Sequence, residues 1–157
     1  MEWIMFPHDN LTKSSISQIQ SVYTKLPSAN EHARVGDYQA QFIGPWWLRK
    51  SAAPSLVLSG LPGWVGKRFI DSNRVTNILL LDGKNIEKFE MQCIEQLSFI
   101  DNKPTLALNY GSSAPIPWRW IVDELRQLDE NTMLCMTIIN LPLLKNFSFP
   151  FLLSRGL

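Results

Sequence analysis

The sequence predicts a mainly-β chain that rolls into one small antiparallel barrel behind a short N-terminal helix. Three observations predict this. Polarity alternates over Tyr38–Phe42, Phe89–Phe99 and Leu106–Tyr110, the two-residue rhythm of half-buried strands. Tight-turn signals separate the later runs, Asp82-Gly83 above all and then Asp101-Asn102-Lys103-Pro104. Successive strands therefore read as hairpin neighbours, and an up-and-down order closes without long crossovers, which favours a barrel over a two-layer sandwich.

Lys13 to Leu26 opens the chain as a helix, with Ser14 or Ser15 to cap it and Pro27 to stop it. Ile16, Ile19, Val22, Tyr23 and Leu26 lie on one stripe. Tyr38, Ala40 and Phe42 then share a strand face that ends at Gly44-Pro45. Ala52 to Leu61 fits a short helix or a loop equally. Val75 to Leu81 and the run after Asp82-Gly83 form a hairpin. In its second strand Phe89, Met91, Cys93, Glu95, Leu97 and Phe99 hold one phase. Leu106, Leu108 and Tyr110 extend the meander. Trp118 to Leu128 is ambiguous: Trp118, Ile121, Val122, Leu125 and Leu128 fit a helical stripe, while the two-residue phases are mixed. Met133 to Leu141 reads as an apolar strand, and Phe149, Phe151 and Leu153 as a last alternating one. With no repeats, linkers or low-complexity tracts, the 157 residues read as a single domain, 1–34 being a helical extension and 35–155 the barrel.

Fifteen basic and fourteen acidic residues give a net charge of +1. They are scattered along the chain, which argues against nucleic acid as a partner and against a field that recruits anionic membrane. Cys93 and Cys135 lack CxxC spacing, and with only His8 and His32 beside them the soft ligands are too few for zinc. The cysteines read as buried thiols in a reducing compartment, and neither metal nor cofactor is expected. The opening MEWIMFPHDN lacks the basic and apolar regions of a secretory signal, and no apolar run approaches the ~20 residues that span a bilayer. A cytoplasmic chain without membrane insertion is the expectation.

Gly36-Asp37-Tyr38-Gln39-Ala40 and Gly63-Trp64-Val65-Gly66-Lys67-Arg68-Phe69 resemble the GXWXG-motif family of bacteria and fungi. The run from Ile121 to Met136 resembles the companion C-terminal domain of unknown function usually fused to it. The likeness covers about Val35 to Arg155. In the naming motif, Tyr38 stands where the family has Trp and Ala40 where it has the second Gly. The resemblance implies a lipocalin/calycin-like small barrel, a hairpin in place of a helix at Trp118 to Leu128, and no established activity.

Candidate site residues follow from phase. Glu95 shares its phase with Met91 and Cys93, which aims a carboxylate at the interior. A buried carboxyl has a raised pKa suited to general acid–base work, although a rim position or an ion pair explains it more simply. Arg126, near Asp123, Glu124 and Asp129, offers a bidentate contact to a ligand oxygen, or a strand-locking ion pair. Tyr110 offers a hydroxyl from an apolar strand phase. Trp46, Trp47, Trp64, Trp118 and Trp120 flank turns, where barrel mouths lie, and flat aromatic walls suit apolar ligands. Gly63 to Lys67 is not a phosphate loop, because GxxxxGK[ST] spacing is absent.

Three functions are expected in order. The first is a carrier or sensor binding a small hydrophobic molecule, with Tyr38, Phe42, Trp64, Met91, Tyr110, Trp120, Asp123 and Met136 lining the cavity. The second is a cofactor-independent isomerase or cyclase in that cavity, with Glu95 and Arg126 catalytic. The third is an oligomeric interaction module, a homodimer formed through the apolar tail Phe147 to Leu153.

Overall fold

A computed structural model describes residues 11–155 of the chain. The described residues form strands β1 (Gly36–Phe42), β2 (Trp64–Asp71), β3 (Arg74–Leu81), β4 (Lys84–Leu97), β5 (Pro104–Asn109), β6 (Ile121–Asp129), β7 (Thr132–Ile139) and β8 (Ser148–Arg155). Helix α1 (Ile16–Tyr23) precedes them, and α2 (Trp46–Leu58) joins β1 to β2. Each strand runs antiparallel to the next, and β8 pairs back on β1 from Tyr38 with Arg155 to Phe42 with Phe151. The result is a closed up-and-down barrel, the predicted class. No described helix is long and apolar enough to cross a membrane.

The predicted turns do what their chemistry requires. Asp82 and Gly83 both take positive φ, 51° and 74°, the backbone that matches the twist of a two-residue hairpin. The inward phase is the predicted one: Tyr38, Met91, Cys93, Leu106, Leu108 and Tyr110 belong to one interior cluster. A second cluster lies outside the wall, where Ile19, Tyr23 and Leu26 pack on Leu128, Leu134, Met136 and Leu152. Ser15 caps α1 with a reciprocal Gln18 contact, a capping box.

Trp118 to Leu128 resolves as a one-turn 3₁₀ helix, Trp118–Trp120, followed by β6. Every residue of β6 but the last is buried, because α1 and the 98–103 loop cover its outer face. A strand buried on both faces shows no alternation, which is why its phases look mixed. Ala52 to Leu61 is mostly helix: α2 reaches Leu58 with Pro54 inside it. The apolar tail is not a free edge, since β8 is paired on both sides.

Gly66 is where the barrel seam is tightest. A Cβ there would overlap the carbonyl oxygen of Tyr38 on β1, and backbone cannot swing aside as a side chain can. Gly66→Ala is therefore expected to lower unfolding free energy by about 2–3 kcal/mol, as other overpacked sites do. Urea denaturation measures it, and a variant as stable as the parent would remove this account of the glycine.

A cavity with a buried ion pair at its wall

The loops at one barrel end leave a cavity open, while the other end is filled. At the filled end Ala29 and Ala33 join the interior cluster, and the Tyr38 hydroxyl donates 2.7 Å to the Ala33 carbonyl. The cavity of about 410 Å³ extends from the interior to α2, which crosses the open end. That size lies in the range that small-molecule sites occupy.

Helix α2 faces it with Leu48, Ser51, Ala52, Ser55, Leu56 and Ser59, a stripe at helical spacing. Small residues dominate that stripe, so the helix roofs the space without filling it. None of the thirteen residues of α2 is buried, although Leu48 and Leu56 turn inward. Leu56 reaches the interior cluster, but Leu48, Ala52 and Leu56 stay only half-buried over the cavity, which leaves apolar surface for a ligand to cover.

The walls are aromatic and aliphatic, and one polar cluster interrupts them. Lys67, fully buried, donates to Asp123 at 2.9 Å, to Asn77 at 2.9 Å and to the Met91 sulfur at 3.4 Å. Asp123 also accepts 2.7 Å from the Thr137 hydroxyl. Asn77 accepts from the Trp64 indole at 3.1 Å and donates to the Tyr110 oxygen at 3.0 Å. The Lys67 ammonium also stands within 6.0 Å of the ring centres of Trp64, Tyr110 and Phe151.

Burial is the largest single influence on Lys67 and pushes its pKa down, but the charge and hydrogen bond of Asp123, with Tyr110 and Cys135 beside it, together hold the amine above the ordinary lysine value. An amine kept as ammonium, with all three protons placed, is no nucleophile. Burial likewise raises the Tyr110 hydroxyl and the Cys135 thiol, and pushes Cys93 up to about 11. The cavity wall therefore presents one ion pair, Lys67 with Asp123, one phenol and no thiolate.

A β-bulge produces this cluster. The register between β2 and β3 shifts between Trp64 and Gly66, so Trp64, Lys67 and Phe69 all turn inward. Lys67 and Asn77 were not singled out from the sequence. Their signal was phase, Lys67 with Phe69 and Asn77 with Val75 and Leu79, and a lysine in an apolar phase reads as an exception until its partner is known.

Of the predicted lining, Phe42, Trp64, Tyr110 and Asp123 face the cavity, and Met91 touches it through Lys67. Tyr38 is interior but lies at the filled end. Met136 points out of the barrel beneath α1, because Cys135 and Thr137 take the inward phase of β7. Trp120 is half-buried and away from the cavity, and its neighbour Trp118 lines it instead.

Glu95 and Arg126 do not meet. β4 runs beyond the end of β3, so Glu95 sits at the rim of the filled end. There it is 73% exposed and paired with Arg34 at 2.7 Å. Arg126 lies outside the wall, donating to Asp101 and to the Tyr23 carbonyl with its guanidinium over the Tyr23 ring. Neither reaches the cavity, so catalysis through this pair has no site. His8 lies outside the described residues, and His32 sits in a turn before β1.

The fold and the cavity define a closed antiparallel barrel with a single-ended apolar site. A solved protein from Thermomonospora curvata shares that architecture: TM-score 0.70, 17% identity, covering 92% of this chain and 90% of that one. No family model and no curated protein matches the sequence.

Proposed function

We propose that the chain binds a small, mostly apolar molecule with one oxygen acceptor, as a carrier or sensor. The observation that carries this is the roofed cavity: α2 lays a stripe of small and aliphatic residues, its Leu48, Ala52 and Leu56 only half-buried, over about 410 Å³ of space. The polar cluster says which end of the ligand points inward. Tyr110 accepts from Asn77, and no described residue takes the proton of its own hydroxyl. A carbonyl, ether or hydroxyl oxygen on the ligand would accept it beside the Lys67 charge, with the apolar remainder against Trp64, Trp118 and α2.

The segments that carry the GXWXG resemblance supply this cluster, Lys67 and Trp64 from one and Asp123 from the other. That supports membership of the family as part of the same reading.

Two measurements test it. Native mass spectrometry of gently purified protein is expected to find an adduct of a few hundred daltons that organic solvent releases. Titration with a lipophilic fluorophore should saturate at one per chain. Leu56→Trp fills the roofed space and is expected to abolish uptake while unfolding stays cooperative. Tyr110→Phe is expected to weaken an oxygen-bearing ligand by about tenfold, the worth of one hydrogen bond, and to leave a pure hydrocarbon unaffected. Uptake unchanged in the Leu56→Trp protein would reject the site.

A second reading is a cofactor-independent isomerase or cyclase. It is favoured by the dry Lys67 ammonium next to Tyr110, which would stabilise negative charge growing on a ligand oxygen. Recovery of the adduct unchanged after prolonged incubation separates carriage from turnover.

A further inference from the structure

The net charge of +1 conceals a segregation that the fold creates. The connections at the open end are 43–63, 82–83, 110–120 and 140–147. They carry four cations, Arg49, Lys50, Arg119 and Lys145, against one carboxylate, Asp82. On β4, Lys84 follows that turn at once and Lys88 sits beside Gly60 on the same rim, while the Glu87 between them is paired with Arg68. The filled end is balanced by contrast. The segments 24–35, 72–73, 98–103 and 130–131 carry Lys25, Arg34 and Lys103 against Glu31, Asp101 and Glu130.

Most of the apolar side chains that are at least half exposed lie at the same open end, with Val35 and Leu97 at the filled one. Leu58 is 90% exposed, Leu143 78% and Trp46 65%, with Trp47, Ile116 and Phe147 at half or more. On α2, Trp46, Lys50, Ala53 and Val57 recur at helical spacing as an outer stripe opposite the one that roofs the cavity, and Leu58 flanks it at the helix end. The Lys50 ammonium stands 5.6 Å from the Trp46 ring centre. Indole and lysine side by side on an apolar helix face suit the boundary between headgroups and acyl chains, where the ring is half wet and the cation meets phosphate. A cytosolic protein surface would not need so many cations around so much apolar area.

We infer that the open end docks on the surface of an anionic phospholipid bilayer, with α2 lying in the interface and the cavity mouth facing the lipid. The contact is peripheral and crosses nothing. It goes beyond the binding reading by assigning a source: the apolar ligand passes between bilayer and cavity under α2 without entering water. Pro54 suits that passage, since it withholds an N–H from the Lys50 carbonyl and weakens the roof helix in its middle.

The test sediments the whole protein with vesicles of phosphatidylcholine alone or of equimolar phosphatidylcholine and phosphatidylserine. Partition onto the serine-containing vesicles is expected to be at least about tenfold the stronger, with tryptophan emission shifted to the blue and release by added salt. Lys50→Glu with Lys145→Glu is expected to cost about tenfold or more in partition. Trp46→Ser with Leu58→Ser should abolish it, and Lys25→Glu at the filled end should leave it unchanged. All five positions are exposed, and circular dichroism checks that each variant folds.

Docking is overturned if the parent stays in the supernatant with both vesicles. It is equally overturned if Lys25→Glu weakens partition as much as the open-end charges do, or if Trp46→Ser with Leu58→Ser leaves it intact. A dimer that this same pair dissolves, without vesicle binding, would show that a second copy covers the face and would also overturn it. Fluorophore uptake measured without vesicles reports the cavity separately. The docking variants keep uptake and Leu56→Trp keeps vesicle binding, so failure of one reading is distinguishable from failure of the other.

Discussion

Asp123→Ala is expected to destabilise the barrel by about 3–5 kcal/mol, because it strands the Lys67 ammonium in the wall with its counter-ion gone. For a chain of this size that corresponds to a fall in Tm of about 10 °C. The lysine would answer by losing its proton. Burial is the largest influence on it, and removing Asp123 takes away the first-ranked group that opposes burial. The destabilisation should therefore shrink as pH rises. The sign for the parent is opposite. Its lysine pKa is raised on folding, so the contribution is present below the ordinary lysine value of 10.5 and is lost as pH climbs through the folded one.

Removing both charges is the informative control. Lys67→Met with Asp123→Leu replaces the pair by apolar volume, and most of the loss should return, since a buried pair is a poor source of net stability. Two-state denaturation of the parent, the single and the double variant reads the cycle. A single variant within about 1 kcal/mol of the parent would mean that water reaches the pair and that the cavity wall is not dry. Recovered stability with lost ligand uptake would place the pair in the binding site for its charge rather than for the fold.

Arg126→Ala is expected to cost a similar amount, about 3–4 kcal/mol, on the other side of the same strand. Its guanidinium bridges three pieces: Asp101 in the β4–β5 loop, the Tyr23 carbonyl at the end of α1, and the Lys103 and Pro104 carbonyls. It also covers the Tyr23 ring at 4.2 Å. Tyr23 in turn donates to Glu124, which accepts as well from Ser98 and the Phe99 amide. Truncation would free α1 and the loop together.

The acid limb of the stability curve gives an independent readout of that bridge. The Arg126 hydrogen bond holds the Asp101 carboxyl below its ordinary 3.8. A depressed folded pKa contributes stability above that value and loses it as pH falls through the folded one, so the parent should weaken below about pH 4. Arg126→Ala should flatten that decline. A variant with the parent's acid slope would show that the slope belongs to Asp37 and Asp71, which Arg68 and Arg74 hold down in the same way.

The expectations that failed did so for related reasons. Glu95 has the right phase for the interior, but phase says nothing of where a strand outruns its neighbour, and β4 outruns β3. Met136 belongs to an apolar strand whose two faces are both buried, so composition cannot say which face is the core. The tail from Phe147 to Leu153 is apolar because it closes the barrel, a long-range pairing between the two ends of the sheet.

Local chemistry by itself determined the class of fold, the capped helix α1, the Asp82-Gly83 hairpin, the inward faces of β1 and β5, and Met91 and Cys93 on that of β4, whereas Leu97 and Phe99 of the same phase are exposed with Glu95. All of these rest on contacts within a few residues or on a two-residue period, which a sequence displays directly. Tertiary structure alone decided that Lys67 meets Asp123, that Arg126 stands outside the wall, and that three separate connections pool their cations and apolar side chains at one end. Those outcomes depend on a bulge in β2 and on closure of β8 onto β1, which set register around the whole barrel. A register shift of one residue exchanges inside for outside, and nothing local to Lys67 fixes it.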